Sequence, residues 1–344
     1  MVEERCFFNK DALVIKVPKK SHIALKMFML VAVMICGIYI CSVCFKQIGT
    51  QSRPKFLRIQ IIRTPCKSPA IPHDEIPYVH YPTPTTYSRD ECACTPVRFF
   101  SIVSMQRSGS GWFETLLNSH VNISSNGEIF APKERRTNIS TIINALDKVY
   151  NLDWYSSASK NECTAAVGLK WMLNQGFMDN HETVVEYFRQ RGVSVIFLFR
   201  RNLLRRFVSQ LANDHDRSTK QLNGTHKAHV HSENEADILA EYKPSINTSE
   251  LIPNLKKTDK FVADSMVYLK NIRHIALYYE DLIKNRTKVM DVLEFLRVPQ
   301  RKLVSQHVKI HRRPLPMQVD NWDDVYNCLK GTEYESFLHA DYDL

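Results

Sequence analysis

The sequence predicts an α/β protein: a three-layer α/β/α body on a central parallel sheet, preceded by one transmembrane helix. Three observations predict it. From residue 98 onward, short apolar runs alternate with segments of helical spacing, the pattern of strand–helix–strand units whose sheet is covered on both faces. The segment Arg107-Ser108-Gly109-Ser110-Gly111-Trp112 joins a strand-like run to a helix-like run through small residues. Finally, Met27–Phe45 are 19 consecutive residues without a charge, which with Ile23, Ala24 and Leu25 suffice to cross a bilayer.

Four regions follow in order. Residues 1–22 are expected to form a cytoplasmic tail and 23–45 a retained signal-anchor. The apolar run is too long and starts too far from Met1 for a cleaved signal, and no A-x-A-like site follows it. Lysines and arginines flank both ends, so the positive-inside rule is nearly silent. The sequons at Asn122, Asn138, Asn223, Asn247 and Asn285 all lie after the span and place the body on the lumenal side. Residues 46–97 hold eight of the fifteen prolines; that density favours extended chain, and the segment reads as a stem. Residues 98–344 form the lumenal body, large enough to bury a substantial core.

Charge and cysteine content narrow the partners. The net charge is +10, of which +3 falls in residues 1–45 and +7 beyond, which suits an anionic ligand. No arginine-rich tail, zinc-finger spacing or basic helical run points to nucleic acid. Of nine cysteines, Cys36, Cys41 and Cys44 lie in the span. Cys66, Cys92, Cys94, Cys163 and Cys328 follow it, an odd number whose connectivity the sequence leaves open. Cys92 and Cys94 lack the second pair a zinc site needs, and no metal is expected.

Within the body, Phe99–Met105, Ala165–Leu169, Val193–Phe199 and Ile275–Tyr279 read as buried strands. Segments 113–118, 181–191, 201–213 and 287–297 have helical spacing. Between Asn213 and about Lys257 the chain turns polar, with His215, His226, His229 and His231. Irregular spacing and missing partner carboxylates make this a solvated loop rather than a metal site.

The Arg107–Trp112 turn has the makings of an anion cradle: glycines admit close approach, free N–H groups point inward, and the helix dipole favours negative charge. It is not a nucleoside-triphosphatase loop, because no Gly-Lys dipeptide occurs in all 344 residues. A second anion signal follows Phe199. Arg201-Asn202 is followed by Ser209, eight residues after the arginine and on nearly the same helical face. A guanidinium fork and a hydroxyl so placed suit one phosphate.

Together these motifs resemble those of sulfotransferases that use 3′-phosphoadenosine-5′-phosphosulfate. Gln106–Trp112 matches the first phosphosulfate loop without gaps, with Arg107 at the usual lysine position. Arg201, Asn202 and Ser209 reproduce the second motif. Tyr279-Glu280-Asp281-Leu282, followed by Val292-Leu293-Glu294-Phe295-Leu296, is similar to a third. The resemblance covers roughly 98–330 and is nearest to Golgi carbohydrate and nodulation-type branches.

The resemblance implies a P-loop-like phosphosulfate turn and a division of labour. Arg107, Ser108, Gly109, Ser110 and Gly111 would cradle the 5′-phosphosulfate, and Trp112 would stack on adenine. Arg201 and Ser209 would hold the 3′-phosphate, and Arg312 and Arg313 would sit in a late basic loop closing over the nucleotide. Glu128, in Asn126-Gly127-Glu128-Ile129-Phe130, would be the base; Glu114, one turn past the loop, is second choice and expected to face solvent. Lys170, at a strand end, would neutralise the leaving oxygen alongside Arg107. The implied partners are a glycan or other hydroxyl-bearing acceptor and a Golgi membrane crossed once in type II orientation, with the 213–257 segment as a candidate acceptor-recognition loop. The rivals are an inactive glycan-binding or scaffold member of the same fold, and a P-loop kinase. Nothing in the sequence sets an oligomeric state.

Overall fold

The structure is a computed structural model that describes residues 19–50, 71–156 and 163–339. The chain divides into two units, Met1–Pro65 and Cys66–Leu344. In the first, helix α1 (Lys19–Thr50) contains Leu25–Cys44, which is long and apolar enough to cross a membrane, with a mean hydropathy of 2.5. The expected tail at 1–18 and the stem at 51–70 lie outside the described residues.

The second unit is built on five strands: β1 (Arg98–Ser104), β2 (Ile123–Ser125), β3 (Ala166–Met172), β4 (Val193–Phe199) and β5 (His274–Tyr278). Their spatial order is β2-β3-β1-β4-β5, and every pairing is parallel. β3 and β4 are buried throughout, as a sheet covered on both faces requires. Period-two alternation sorts side chains to opposite layers. Phe99 and Val103 enter one core with Trp171, Phe177 and Phe188, while Phe100 and Ile102 enter the other with Phe113, Leu117 and Leu293. The expected three-layer α/β/α arrangement is therefore present.

Helix α2 (Ser110–Asn118) follows β1, α3 (Ile139–Tyr150) precedes β3, and α4 (His181–Gln190) leads into β4. Helix α5 (Leu203–Thr219) follows β4, and after β5 come α8 (Tyr279–Lys284) and α9 (Thr287–Phe295). The chain leaves β1 towards β2 and β3 but leaves β4 towards β5, so the switch point lies between β1 and β4. Ligands of open parallel sheets bind at the carboxyl ends of the strands at such a point.

Two expectations need correction. The segment 213–257 is not a continuous loop: α5 runs on to Thr219, and α6 (Glu233–Ala240) and α7 (Thr248–Tyr268) follow. Ser232 Oγ and Asn247 Oδ1 accept hydrogen bonds from Glu235 N and Ser249 N at 3.3 and 3.1 Å, capping the two helices. Within 213–257 their buried sides are narrow, made of Ala236 and Leu239 in one and Leu251 and Leu255 in the other; beyond it, Phe261, Val262 and Met266 of α7 pack on the main core. The rest is solvated face, which is why composition reads as loop. Helix α7 joins α5, α10 (Trp322–Leu329) and α11 (Ser336–His339) in a separate core.

Residues 71–97, assigned to the stem, belong with the body. Glu75 is buried against Arg98, Arg273 and Arg297 at 3.3, 3.2 and 3.0 Å. His80 and Val97 exchange backbone hydrogen bonds at 3.0 and 2.8 Å, and Cys92 is disulfide-bonded to Cys163. Cys94 is also disulfide-bonded, and Cys328 is a free, half-buried thiol. The segment holds only two short 3-10 turns, His73–Tyr78 and Asp90–Cys92, and docks by single side chains.

Burial alone would push the Glu75 carboxyl up; Arg273, Arg297 and Arg98 outweigh it and hold the group below its ordinary 4.5. Its stabilisation is therefore complete above that pH and is lost as pH falls through the lowered folded-state value. Glu75→Gln is expected to destabilise the body by about 3 kcal/mol at pH 7, because three guanidiniums lose their counter-charge. Urea unfolding at pH 7 and pH 4 checks this: the wild-type advantage should shrink at the lower pH.

Candidate active site

The turn after β1 is the centre of the site. Arg107 and Gly109 both take left-handed backbone, with φ of 65° and 81°, which reverses the chain so that α2 starts directly over the strand end. A Cβ on Gly109 would lie 2.2 Å from the Tyr279 ring, and one on Gly111 would lie 2.3 Å from His229 Nε2. Glycine at both positions is thus a packing requirement as well as a conformational one. The first N–H groups of α2 have no helical acceptor and carry the positive end of the dipole. Ser108 Oγ is buried there without a hydrogen-bond partner.

The side chain of Arg107 crosses to α5. Its Nε donates to Ser209 Oγ at 2.9 Å, and its Nη1 donates to Ala228 O at 2.9 Å. The first loop and Ser209 therefore meet, 102 residues apart in sequence. Arg201 does not join them. It pairs with Asp281, stacks 4.2 Å over Tyr278 and is half exposed. Arg200 lines the cavity instead, donating to Arg107 O at 3.3 Å and lying 5.2 Å over the Tyr279 ring. The Glu280 carboxylate sets this choice by accepting from the N–H groups of Arg201 and Asn202 at 3.1 and 3.3 Å.

The late basic loop is displaced in the same way. Arg312 pairs with Glu233, and exposed Arg313 contributes a carbonyl that accepts from Arg205 at 3.4 Å. Earlier residues of that stretch, Lys302, His307, Lys309 and His311, face the cavity. An isolated bridge between Val230 and Val308 joins the stretch to the segment after α5.

These elements enclose a cavity of about 660 Å³. Its lining is part cationic and part apolar. Six Lys or Arg residues line it (Arg107, Arg200, Arg217, Arg286, Lys302 and Lys309) against one carboxylate, Glu128. Trp112, Leu116, Ile283, Val289, Met290 and Leu303 supply the apolar wall. Trp112 stands edge-on to Tyr279 at 6.0 Å, leaving a face for a flat ring. Burial, reinforced by the neighbouring Arg200, pushes the guanidiniums of Arg107 and Arg206 down to about 10. Burial with Arg200 and Arg205 pushes the Lys309 amine down to about 6. The site holds more positive charge than its own carboxylates balance, which suits a multiply charged anion carrying an apolar ring.

Behind the cavity wall, buried Lys170 from β3 lies between two carboxylates, one of which, Glu128, lines the cavity. Its Nζ is 3.1 Å from Glu114 Oε2 and 3.3 Å from Glu128 Oε1. Burial opposes its charge, but the two carboxylates outweigh that and hold the ammonium above its ordinary range. Glu128 lines the cavity, with its other oxygen accepting from Gln175 Nε2 at 3.0 Å. Glu114, expected to face solvent, is buried. The left-handed turn starts α2 at an angle that aims this residue at β2 and β3, where Ser125 Oγ donates to it at 2.6 Å and Gly127 N at 2.9 Å.

The four histidines singled out in the sequence separate. His215 stacks on Tyr242 and His226 pairs with Asp216 at 2.6 Å. His229 and His231 instead pack on His307. Surrounding protein together with Lys170 and Arg107 pushes His229 down to about 3; burial together with His231 and Lys170 pushes His307 down to about 4. Both are neutral at physiological pH. Sequence reasoning missed Arg200 and Lys309; the strand-end position of Arg200 was a usable signal for the first, while nothing local marks the second.

No family model matches the chain. It is similar to Nodulation protein H of Rhizobium meliloti, with 25% identity over 254 residues, covering 71% of this chain and 96% of that protein. A solved structure, the Sulfotransferase Domain from the Curacin Biosynthetic Pathway, matches 59% of this chain and 75% of its own at 18% identity and a TM-score of 0.31.

Gly111→Ala is expected to displace His229 and weaken binding of pyrophosphate, used as a probe of the cationic cavity, by tenfold or more in calorimetry. Removing Lys309 has opposite effects on stability and binding. Its amine binds a proton more weakly folded than unfolded, so its contribution makes stability rise with pH between about 6 and the ordinary lysine value. Lys309→Met should raise the melting temperature of the ligand-free protein by a few degrees, yet weaken binding of the same anion. In wild type, calorimetry at pH 7.5 in buffers of different ionisation enthalpy should show proton uptake on binding, and the variant should lose it.

Proposed function

We propose that the chain transfers a sulfuryl group from 3′-phosphoadenosine-5′-phosphosulfate to a hydroxyl of a carbohydrate or glycoconjugate. The observation that carries this reading is a carboxylate with a cation behind it at the cavity wall. Glu128 lines a cationic, partly apolar cavity and is paired with buried Lys170, which Glu114 also holds, while the glycine turn of that cavity lacks the lysine of a nucleotide kinase. The donor suits the residues present. Buried Ser108 Oγ lacks a partner, the glycine cradle excludes any side chain, and the surplus cations match two phosphates and a sulfate.

Arg107, Ser108, Gly109, Ser110 and Gly111 would hold the phosphosulfate end. Arg200 and Ser209 would hold the 3′-phosphate, with Arg107 bonded to Ser209 linking the two groups. Trp112 and the apolar wall would take the adenine. The donor supplies an activated sulfur whose bond to the bridging phosphate oxygen breaks, leaving the electron pair on phosphate, as the acceptor oxygen bonds to sulfur. Glu128 accepts the hydroxyl proton, being within reach of the cavity and charge-paired with Lys170. Lys170, held cationic, offsets charge growing on the bridging oxygen, and Arg107 is fixed too firmly on α5 and Ala228 to act as proton donor.

The same reading places the protein as a single-pass type II protein of the Golgi membrane with a lumenal body. The apolar helix near the N-terminus, the disulfide between Cys92 and Cys163 and five downstream sequons support it. Asn138, Asn223, Asn247 and Asn285 are exposed and Asn122 is half-buried.

Transfer of labelled sulfate by the detergent-solubilised full chain to a panel of glycans is the test. Glu128→Gln and Lys170→Ala are each expected to lower kcat by about a hundredfold or more, with affinity for adenosine 3′,5′-bisphosphate within threefold of wild type. A wild-type protein that binds the bisphosphate but sulfates nothing would instead make the chain a binding or scaffold protein.

A further inference from the structure

We propose that Glu114 is a positioning residue that keeps Lys170 cationic at the moment Glu128 takes up the acceptor's proton. The inference rests on the sulfotransferase reading above. Two carboxylates on one buried ammonium are more than a static ion pair requires, and their surroundings differ sharply. Glu114 is only 6% exposed. Its Oε1 accepts from Ser125 Oγ at 2.6 Å and Gly127 N at 2.9 Å, while its Oε2 faces Lys170 at 3.1 Å. Three donors thus hold its two oxygens, and none of them comes from the cavity. The Glu128 side chain is 31% exposed, lies on the cavity wall, and is held by Lys170 and Gln175. The exposed carboxylate is placed to exchange a proton; the buried one is placed to keep its charge.

The need for such a partner follows from the reaction. When Glu128 is protonated it stops attracting Lys170. A buried ammonium with only a neutral carboxyl beside it is disfavoured by desolvation and tends to give up its proton. It would do so just as negative charge collects on the bridging oxygen. Glu114 prevents this, because its charge is out of reach of the acceptor. The other titratable groups around Lys170 cannot substitute: His229 and His307, on the cavity side, are neutral near pH 7 and when charged would repel it. Glu114 also sits on the helix that begins at the anion turn, and Gly127, which it holds, accepts from Lys170 N at 3.0 Å. One side chain thereby ties the donor cradle, the lysine and the turn carrying the base.

Glu114→Gln keeps the size and the acceptor for Ser125 and Gly127 but removes the charge. Relative to wild type, kcat at pH 7 is expected to fall about tenfold with donor KM within twofold. The pH profile of kcat should gain a falling alkaline limb below pH 10, which wild type and Glu114→Asp lack. Adding Lys170→Arg to Glu114→Gln should abolish that limb, because a guanidinium does not titrate there. A uniform loss of kcat at all pH values, with no new limb, would make Glu114 a structural brace and overturn the proposal. A second measurement does not depend on Glu114→Gln folding. In Glu128→Gln, which mimics the protonated base, the 13C-lysine resonance of Lys170, assigned through Lys170→Arg, should not titrate below pH 10. Titration below pH 8 would equally overturn it. If wild type sulfates no acceptor, or Lys170→Ala keeps full activity, the sulfotransferase reading itself fails, and the two failures are told apart.

Discussion

Positive charge confined behind the β1 turn is the constraint on which the rest of the structure depends. Burying guanidiniums and an amine together is unfavourable unless geometry spaces them and an anion joins them. The structure does the spacing with backbone. Left-handed turns at Arg107 and Gly109 set α2 over the strand end, Glu280 fixes the start of α5 through two N–H groups, and Arg107 is held by Ser209 and a carbonyl. The charge surplus is left for a ligand. Lys170 is balanced fully by Glu114 and Glu128, whereas two of the cavity arginines each pair with one carboxylate, Arg200 lying 3.8 Å from Glu280 and Arg217 3.3 Å from Asp214. A boundary between unbalanced and balanced charge is where a group leaving one molecule for another needs its countercharges to differ.

Much of this was legible in the sequence because local rules govern it. The four longer strands are continuous apolar runs, and each lies within one or two residues of its expected start; β3 simply continues through Trp171 to Met172. Strand β2 was not legible: three residues, Ile123–Ser125, carry no period. Helix α3 was missed although Ile142, Ala145, Leu146, Val149 and Tyr150 form a buried stripe, and the caps at Asn138, Ser232 and Asn247 are further local signals for α3, α6 and α7. The docking of residues 71–97 was also illegible, since Glu75 finds its arginines far along the chain.

The site divides along the same line. The structure brings the cradle to Ser209 on α5 through Arg107, and brings Lys170 of β3 to Glu128. Arg201, Arg312 and Arg313 are drawn elsewhere, each by a carboxylate or a surface position that the motif does not specify. Adjacent arginines at 200 and 201 point to opposite sides of an extended backbone, so a one-residue difference decides which enters the cavity. Glu114 is the instructive case. Helical spacing alone would turn it outward, but the turn preceding α2 sets the helix's rotation about its axis.

The Glu75 cluster bears on how such a chain is made. Its carboxylate is separated from Arg273 and Arg297 by 198 and 222 residues. Ribosomes deliver the N-terminal end first, so the segment just beyond the apolar helix waits in water, its acid unpaired, while nearly the whole body is synthesised. It can lock down only after the last strand and the helix following it have emerged. Seating of that segment is therefore a mark of a nearly finished chain, and a product truncated before Arg273 would leave Glu75 with only Arg98 as a partner.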